Sequence, residues 1–211
     1  MRKQLPDTPM PFDLFLEIAD RVGVFVFALS GGIAAVRRDM DIFGVVVLAF
    51  LPAVGGGTLR DLILDVPVFW LEDNLSLLLA GLGGITAFFL HKTIEDFKPL
   101  RWADAAGLAV FAATGAAKAA ELGHSFAIVI VMGVMTATVG GIVRDIVAGR
   151  ENLLMKEEIY ATAALLGSTV FAGLYFTGFN DRICLIACIV SAFALRGCAI
   201  IFPLSLPKAR Q

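Results

Sequence analysis

Pro52-Ala53-Val54-Gly55-Gly56-Gly57-Thr58-Leu59-Arg60-Asp61 has an echo later in the chain, Gly140-Gly141-Ile142-Val143-Arg144-Asp145. A shift of 84 residues aligns the two without a gap, placing Gly56 on Gly140, Gly57 on Gly141, Arg60 on Arg144 and Asp61 on Asp145. Upstream, the same shift sets Asp20 on Asp104, Gly23 on Gly107, Phe27 on Phe111, Ala28 on Ala112 and Gly31 on Gly115. Between residues 20 and 61, 14 of the 42 aligned positions are identical. Unrelated apolar helices share Ala, Val and Gly by composition alone. Paired glycines, an Arg-Asp dipeptide and an upstream Asp in one register point to duplication.

Composition names the solvent in which the duplicated unit folds. Of 211 residues, 58% are hydrophobic and 17% charged, against about 25% charged in soluble domains. Too little charge is present to cover a water-facing surface, so lipid is the solvent. A net charge of −2 leaves no basic footprint for nucleic acid. Three cysteines without a Cys-x-x-Cys pair exclude a disulfide scaffold and a zinc ribbon. The polar, proline-bearing segment 1–13 has no apolar core and does not read as a cleaved signal peptide.

A membrane helix needs roughly 20 mostly apolar residues. Seven stretches qualify: Leu14–Val36, Ile42–Leu64, Leu75–Leu90, Ala103–Ala120, Ser125–Val147, Ile159–Thr177 and Ile183–Ile201. The fold class expected is an all-α membrane protein in one integral domain. Residues 14–91 form repeat 1, 103–177 repeat 2, 183–201 a seventh span without a repeat mate, and 202–211 a tail. Three spans per repeat force the second copy to enter the bilayer from the opposite side. Such inverted repeats are common in transport proteins, with the functional path between the halves.

Lys and Arg in the short loops set the orientation. With the N-terminus outside, the inner flanks carry nine (Arg37, Arg38, Lys92, Lys98, Arg101, Arg150, Lys156, Lys208, Arg210) and the outer flanks three (Arg2, Lys3, Arg182). N-out and C-in is the reading. Trp70 and Trp102 are candidate interfacial anchors.

Glycine costs about 1 kcal/mol against alanine in a helix interior. Gly55, Gly56 and Gly57 after Pro52, and Gly140 with Gly141, are therefore expected to bend or unwind spans two and five. Freed backbone carbonyls are tolerated in a membrane only inside protein or beside a watery cavity, where they can replace water around a cation. Ser30, Thr58, Thr114 and Thr138 are candidate hydroxyl contacts on such a route. Gly31, Gly83, Gly107 and Gly115 are explained by close helix packing alone.

Ionisable side chains within spans cost enough to suggest function. Asp20 and Asp104 open the first span of each repeat; Arg60-Asp61 and Arg144-Asp145 follow the glycines. Neighbouring Arg and Asp point about 100° apart on a helix. Two readings stay open for the arginines: a carboxylate across the repeat interface, such as Asp104 or Asp20, or snorkelling at the span ends. Lys118, which replaces Ala34 of the other half, either faces the path or snorkels beside Glu121. Arg196 is read as snorkelling toward the headgroups and Glu17 as interfacial. His91 and His124 lack ligand spacing, so no metal is expected, and Cys184 and Cys188 read as packing. No Ser-His-Asp or Cys-His grouping occurs, and the chain does not read as an enzyme.

At these residues the chain resembles the prokaryotic relatives of the trimeric intracellular cation channels. The matching pieces are Phe27-Ala28-Leu29-Ser30-Gly31 with Ala34-Ala35-Val36-Arg37-Arg38, then Gly55-Gly56-Gly57-Thr58-Leu59-Arg60-Asp61-Leu62, Val66-Pro67-Val68-Phe69-Trp70 and Gly140-Gly141-Ile142-Val143-Arg144-Asp145. The resemblance covers residues 14 to 200. It implies a prokaryotic inner-membrane homotrimer of seven-helix protomers, each with its own pore between kinked helices two and five. K⁺ with some Na⁺ would permeate, no cofactor is implied, and membrane lipid is the expected surrounding and bound partner. Lys118 corresponds to the family's basic pore residue on helix four. The animal members' Lys-Glu-Val lipid motif is absent, because Ala119-Ala120 follow Lys118. Without a Thr-Val-Gly-Tyr-Gly filter, weak K⁺ over Na⁺ discrimination is expected. Inverted repeats with broken helices equally fit a secondary transporter of a small solute such as an amino acid.

Overall fold

The computed structural model describes residues 11–94, 99–149 and 159–202. Most of the polar N-terminal segment, the tail beyond Phe202, and Lys98, Arg150, Lys156, Lys208 and Arg210 of the charge count lie outside the described residues, as do Arg2 and Lys3.

The described residues form seven long helices and one single-turn helix: α1 (Pro11–Val36), α2 (Ile42–Ile63), α3 (Phe69–Glu72), α4 (Asn74–Ile94), α5 (Pro99–Glu121), α6 (Phe126–Val147), α7 (Ala161–Phe176) and α8 (Asp181–Ile201). The single turn α3 was not expected. It fills the connection after Pro67, where the chain turns back into α4. Among the described residues four helices are long and apolar enough to cross a membrane: Leu16–Val36 of α1, α2, α6 and α8. α5 falls short for a physical reason. It carries Asp104 and Lys118 within its length, and its buried face is rich in alanine, Ala105, Ala109, Ala112, Ala113, Ala116, Ala117 and Ala119 being buried beside Leu108 and Phe111. A helix wrapped by other helices gains from small residues that admit close neighbours and has little need of bulky apolar groups.

Packing follows the duplication. α1, α2 and α4 pack together, α5, α6 and α7 pack together, and the two sets meet as α1 on α5 and α2 on α6. α8 lies against α5 and α7. At the first seam Phe27 and Phe111 stack at 5.0 Å between ring centroids. These two residues are repeat mates, and the glycines beneath them are mates too: Gly23 makes room for the Phe111 ring and Gly107 for the Phe27 ring. Large apolar side chains cover the outside, among them Phe43, Val47, Val131, Ile146, Ile186 and Val190.

The second seam corrects the expectation of unwinding. α2 runs unbroken through Pro52 and the three glycines, and α6 through Gly140-Gly141. The glycines act instead as a crossing point. Gly56 rests on the carbonyl oxygen of Thr136 and Gly140 on that of Pro52, so close that a methyl group at either would collide. Thr136 stands 84 residues after Pro52, so the two contacts are reciprocal. Gly31 likewise lies against Leu48, Ala49 and Pro52, and Gly115 against Met132 and Thr136. The packing role read for Gly31, Gly83, Gly107 and Gly115 matches their contacts.

Candidate functional site

Each repeat builds one cluster from its Arg-Asp pair, and the clusters lie at opposite ends of the bundle. In the second, Arg144 donates from Nε to Asp145 Oδ1 at 2.9 Å and from Nη1 to Asp104 Oδ1 at 2.5 Å. Nη1 also reaches Ser30 Oγ at 2.5 Å. All four side chains are buried. In the first, Arg60 donates from Nε to Asp61 Oδ1 at 2.7 Å, and its Nη1 lies 3.8 Å from Asp20 Oδ1. Asp61 Oδ2 accepts the backbone N–H of Phe69 at 3.0 Å, tying α3 to α2. Thr114, the repeat mate of Ser30, is buried beside Asp20.

Both open readings of the arginines are thereby replaced. Neither guanidinium snorkels, since Arg60 and Arg144 are buried. The carboxylate partners belong to the same repeat as the arginine, and what Arg144 reaches across the seam is the hydroxyl of Ser30. Within each motif Arg and Asp also bond to each other across the angle of about 100° between them. The long guanidinium arm folds back so that Nε meets the adjacent carboxylate, a reach that Cα geometry does not reveal. Breaking one partner of a buried pair costs about 3–5 kcal/mol, which makes these clusters structural clamps as well as charge.

Openness distinguishes the two ends. The Asp20 side chain is 22% exposed, the Asp104 side chain fully buried. Beside Asp20 opens a cleft of about 420 Å³. Five carboxylates border it, Glu17, Asp20, Glu72, Asp73 and Glu121, against two basic groups, Arg21 and Lys118. Such a rim concentrates cations, and Lys118 stands as a positive charge inside it. Arg21 is paired with Glu17 at 2.5 Å and Asp73 at 3.1 Å. Asp73, at the start of α4, accepts from Arg21, Ser76 and the backbone N–H of Leu75. Burial alone would raise its pKa, but these bonds outweigh burial and hold the carboxyl below its ordinary value.

At the other end Tyr160 takes the place of open space. It is buried, and its hydroxyl fills the volume that a side chain at Gly141 would need, next to Asp104. Arg196 covers the ring, its Cζ 5.2 Å from the centroid, and donates from Nη1 to the Ile159 carbonyl at 3.1 Å. The expected snorkelling of Arg196 is therefore not what occurs; it is fully buried. Phe69 has the matching place at the open end, against Gly57, with Arg60 Cζ 5.8 Å from its ring.

The remaining residues singled out in the sequence are placed as follows. Thr58 donates to the Val54 carbonyl at 2.7 Å and accepts from Trp70 Nε1 at 2.8 Å, which ties Trp70 to α2. Thr138 donates to the Val134 carbonyl at 2.8 Å. Nothing lies within van der Waals reach of the missing side chain at Gly55. Cys184 and Cys188 are buried and unbridged. Among the described residues no His, Cys, Asp and Glu converge as a metal site.

This geometry can be set beside known proteins. A family model described as "Glycine transporter" matches the chain twice, at residues 17–92 and 101–175. The second match begins 84 residues after the first, the offset that aligns the two Arg-Asp motifs. A UPF0126 membrane protein of Vibrio cholerae is 38% identical over 91% of this chain and 82% of its own length. The UPF0126 inner membrane protein YadS of Escherichia coli K12 is 41% identical, covering 75% and 78%. Among solved structures, the trimeric intracellular cation (TRIC) channel orthologue from Rhodobacter sphaeroides is 40% identical. It superposes with a TM-score of 0.85 over 90% of this chain and 99% of its own. The chain belongs to the prokaryotic TRIC channel family.

As a TRIC family member it is a helical membrane protein, as its composition required. Tyr160 was missed by sequence reasoning, because it lies past the aligned core of the repeats and carries no motif. Phe69 stood within the Val66–Trp70 segment of the resemblance, but its place on Gly57 had no sequence signal.

Proposed function

We propose that the protein is a cation channel of a prokaryotic inner membrane, with seven spans, two inverted repeats and a path in each protomer along the seam of α2 and α6. The carboxylate-rimmed cleft at Asp20 and Lys118 carries this reading, because it lies between α1, α4 and α5 beside Arg60 at the C-terminal end of α2, and its charge favours cations. The likeness to a TRIC channel orthologue at 40% identity supports it. K⁺ with weak discrimination against Na⁺ is the expected permeant pair, since the sequence carries no Thr-Val-Gly-Tyr-Gly filter. Lys118 limits conductance or gives it voltage dependence. The glycine crossing is the hinge: contacts with no side chains between them let α2 and α6 tilt apart, bending where the sequence predicted. The protomers form a homotrimer surrounded by lipid, with the N-terminus outside and the C-terminus in the cytoplasm. No resident cofactor takes part.

A second reading rests on one observation, the family description "Glycine transporter". The cleft bears both signs of charge, which suits a zwitterion, and inverted repeats also build secondary transporters. Proteoliposomes distinguish the two. The channel reading expects passive K⁺ flux down its gradient without glycine. Glycine accumulation driven by an ion gradient, with no such K⁺ flux, would overturn it.

A further inference from the structure

The two ends of the seam carry the same parts in different states. At each end an aromatic ring sits on the second glycine of the motif, Phe69 on Gly57 and Tyr160 on Gly141. Phe69 is half-buried and borders the open cleft. Tyr160 is 1% exposed. The groups around Tyr160 are not apolar: its hydroxyl, Asp104 Oδ2 and Arg144 Nη2 are all buried without a protein hydrogen-bond partner. Buried polar atoms are normally paired. A buried polar cluster covered by one ring is what an occluded section of an aqueous route requires, whereas a purely structural core would pair or omit these groups.

α8 explains why this end is the shut one. It has no mate in the duplication, so the Tyr160 end carries a second arginine, Arg196, beside the motif arginine, whereas at the Phe69 end the motif arginine Arg60 itself lies over the ring. Arg196 holds Tyr160 from two directions, by its face over the ring and by its bond to the carbonyl of Ile159, the residue before. Ring and backbone are gripped together.

We infer that Tyr160 is the plug of the conduction path at the α6 end and that Arg196 is the residue that positions it, so that withdrawal of the ring from Gly141 opens a chamber lined by Asp104 and Arg144. This inference rests on the channel reading, and the test separates their failures. Purified full-length protein is recorded in planar bilayers in KCl, with size-exclusion profiles to establish that each variant is folded. Tyr160→Ala and Arg196→Ala are expected to raise open probability several-fold. Tyr160→Phe and Arg196→Lys, which keep the ring and the cation over it, are expected to stay close to the parent protein. Should either alanine variant fail to fold, Tyr160→Leu takes its place with the same expected rise. If the parent conducts and the folded alanine or leucine variants open no more often, the plug is overturned while the channel stands. Equal opening in Tyr160→Phe and Tyr160→Ala overturns it as well. A parent protein with no unitary current overturns the channel reading itself.

Discussion

Gly56 of α2 rests directly on the carbonyl oxygen of Thr136 in α6, and its repeat mate Gly140 rests on the carbonyl of Pro52. The contact has no side chain to spare. Overpacking of this kind costs about 1–3 kcal/mol, so Gly56→Ala and Gly140→Ala are expected to lower the thermal midpoint in detergent. Gly55, one residue earlier, faces open space, and Gly55→Ala should be neutral or gain up to about 1 kcal/mol from helix propensity. Equal effects at Gly55 and Gly56 would show that helix propensity, not the crossing, governs this segment.

The buried and the open carboxylates should differ. Asp104→Asn removes the charge opposite Arg144 Nη1 and leaves Asp145 as the carboxylate beside the buried guanidinium, and is expected to cost up to about 3–5 kcal/mol. Asp20→Asn should cost much less, because Asp20 is part-exposed and stands 3.8 Å from Arg60. The exchange Arg144→Asp with Asp104→Arg should recover part of the loss, read as yield of monodisperse protein. An exchange of Arg60 with Asp104 should recover none, since those residues belong to different clusters.

Acid should loosen the α1–α4 contact through Asp73. Its folded pKa lies below the ordinary value, so its contribution is fully present above the unfolded pKa, about 3.9. The contribution fades as pH falls from there through the lower folded value. Thermal midpoints followed from neutral pH down to acid should fall less steeply in Asp73→Asn than in the parent over that window. Parallel curves would remove Asp73 from the acid response.

Much of this was legible in the sequence, and for a stated reason. Duplication preserves register, so Asp20/Asp104 and Arg60/Arg144 could be paired by counting, and apolar length gave the long helices. Partner choice was not legible. Arg144 and Asp104 are 40 residues apart, and which carboxylate an arginine reaches depends on how α5 and α6 lean together. The glycines were read as breaks because propensity is a local property. Their reason is tertiary, an approach of two backbones that only the packed seam reveals. Arg196 was read as surface for the same cause, since a lone charge near a span end looks alike whether it faces headgroups or a tyrosine ring.

The central claim is a cation path beginning at the cleft where Lys118 stands among carboxylates. Single-channel recording of the parent and of Lys118→Glu in a KCl gradient tests it most directly. The account predicts discrete unitary currents that reverse toward the K⁺ equilibrium potential, with conductance or its voltage dependence changed in Lys118→Glu. Absence of unitary currents from the folded parent, or currents identical in the two proteins, would contradict it.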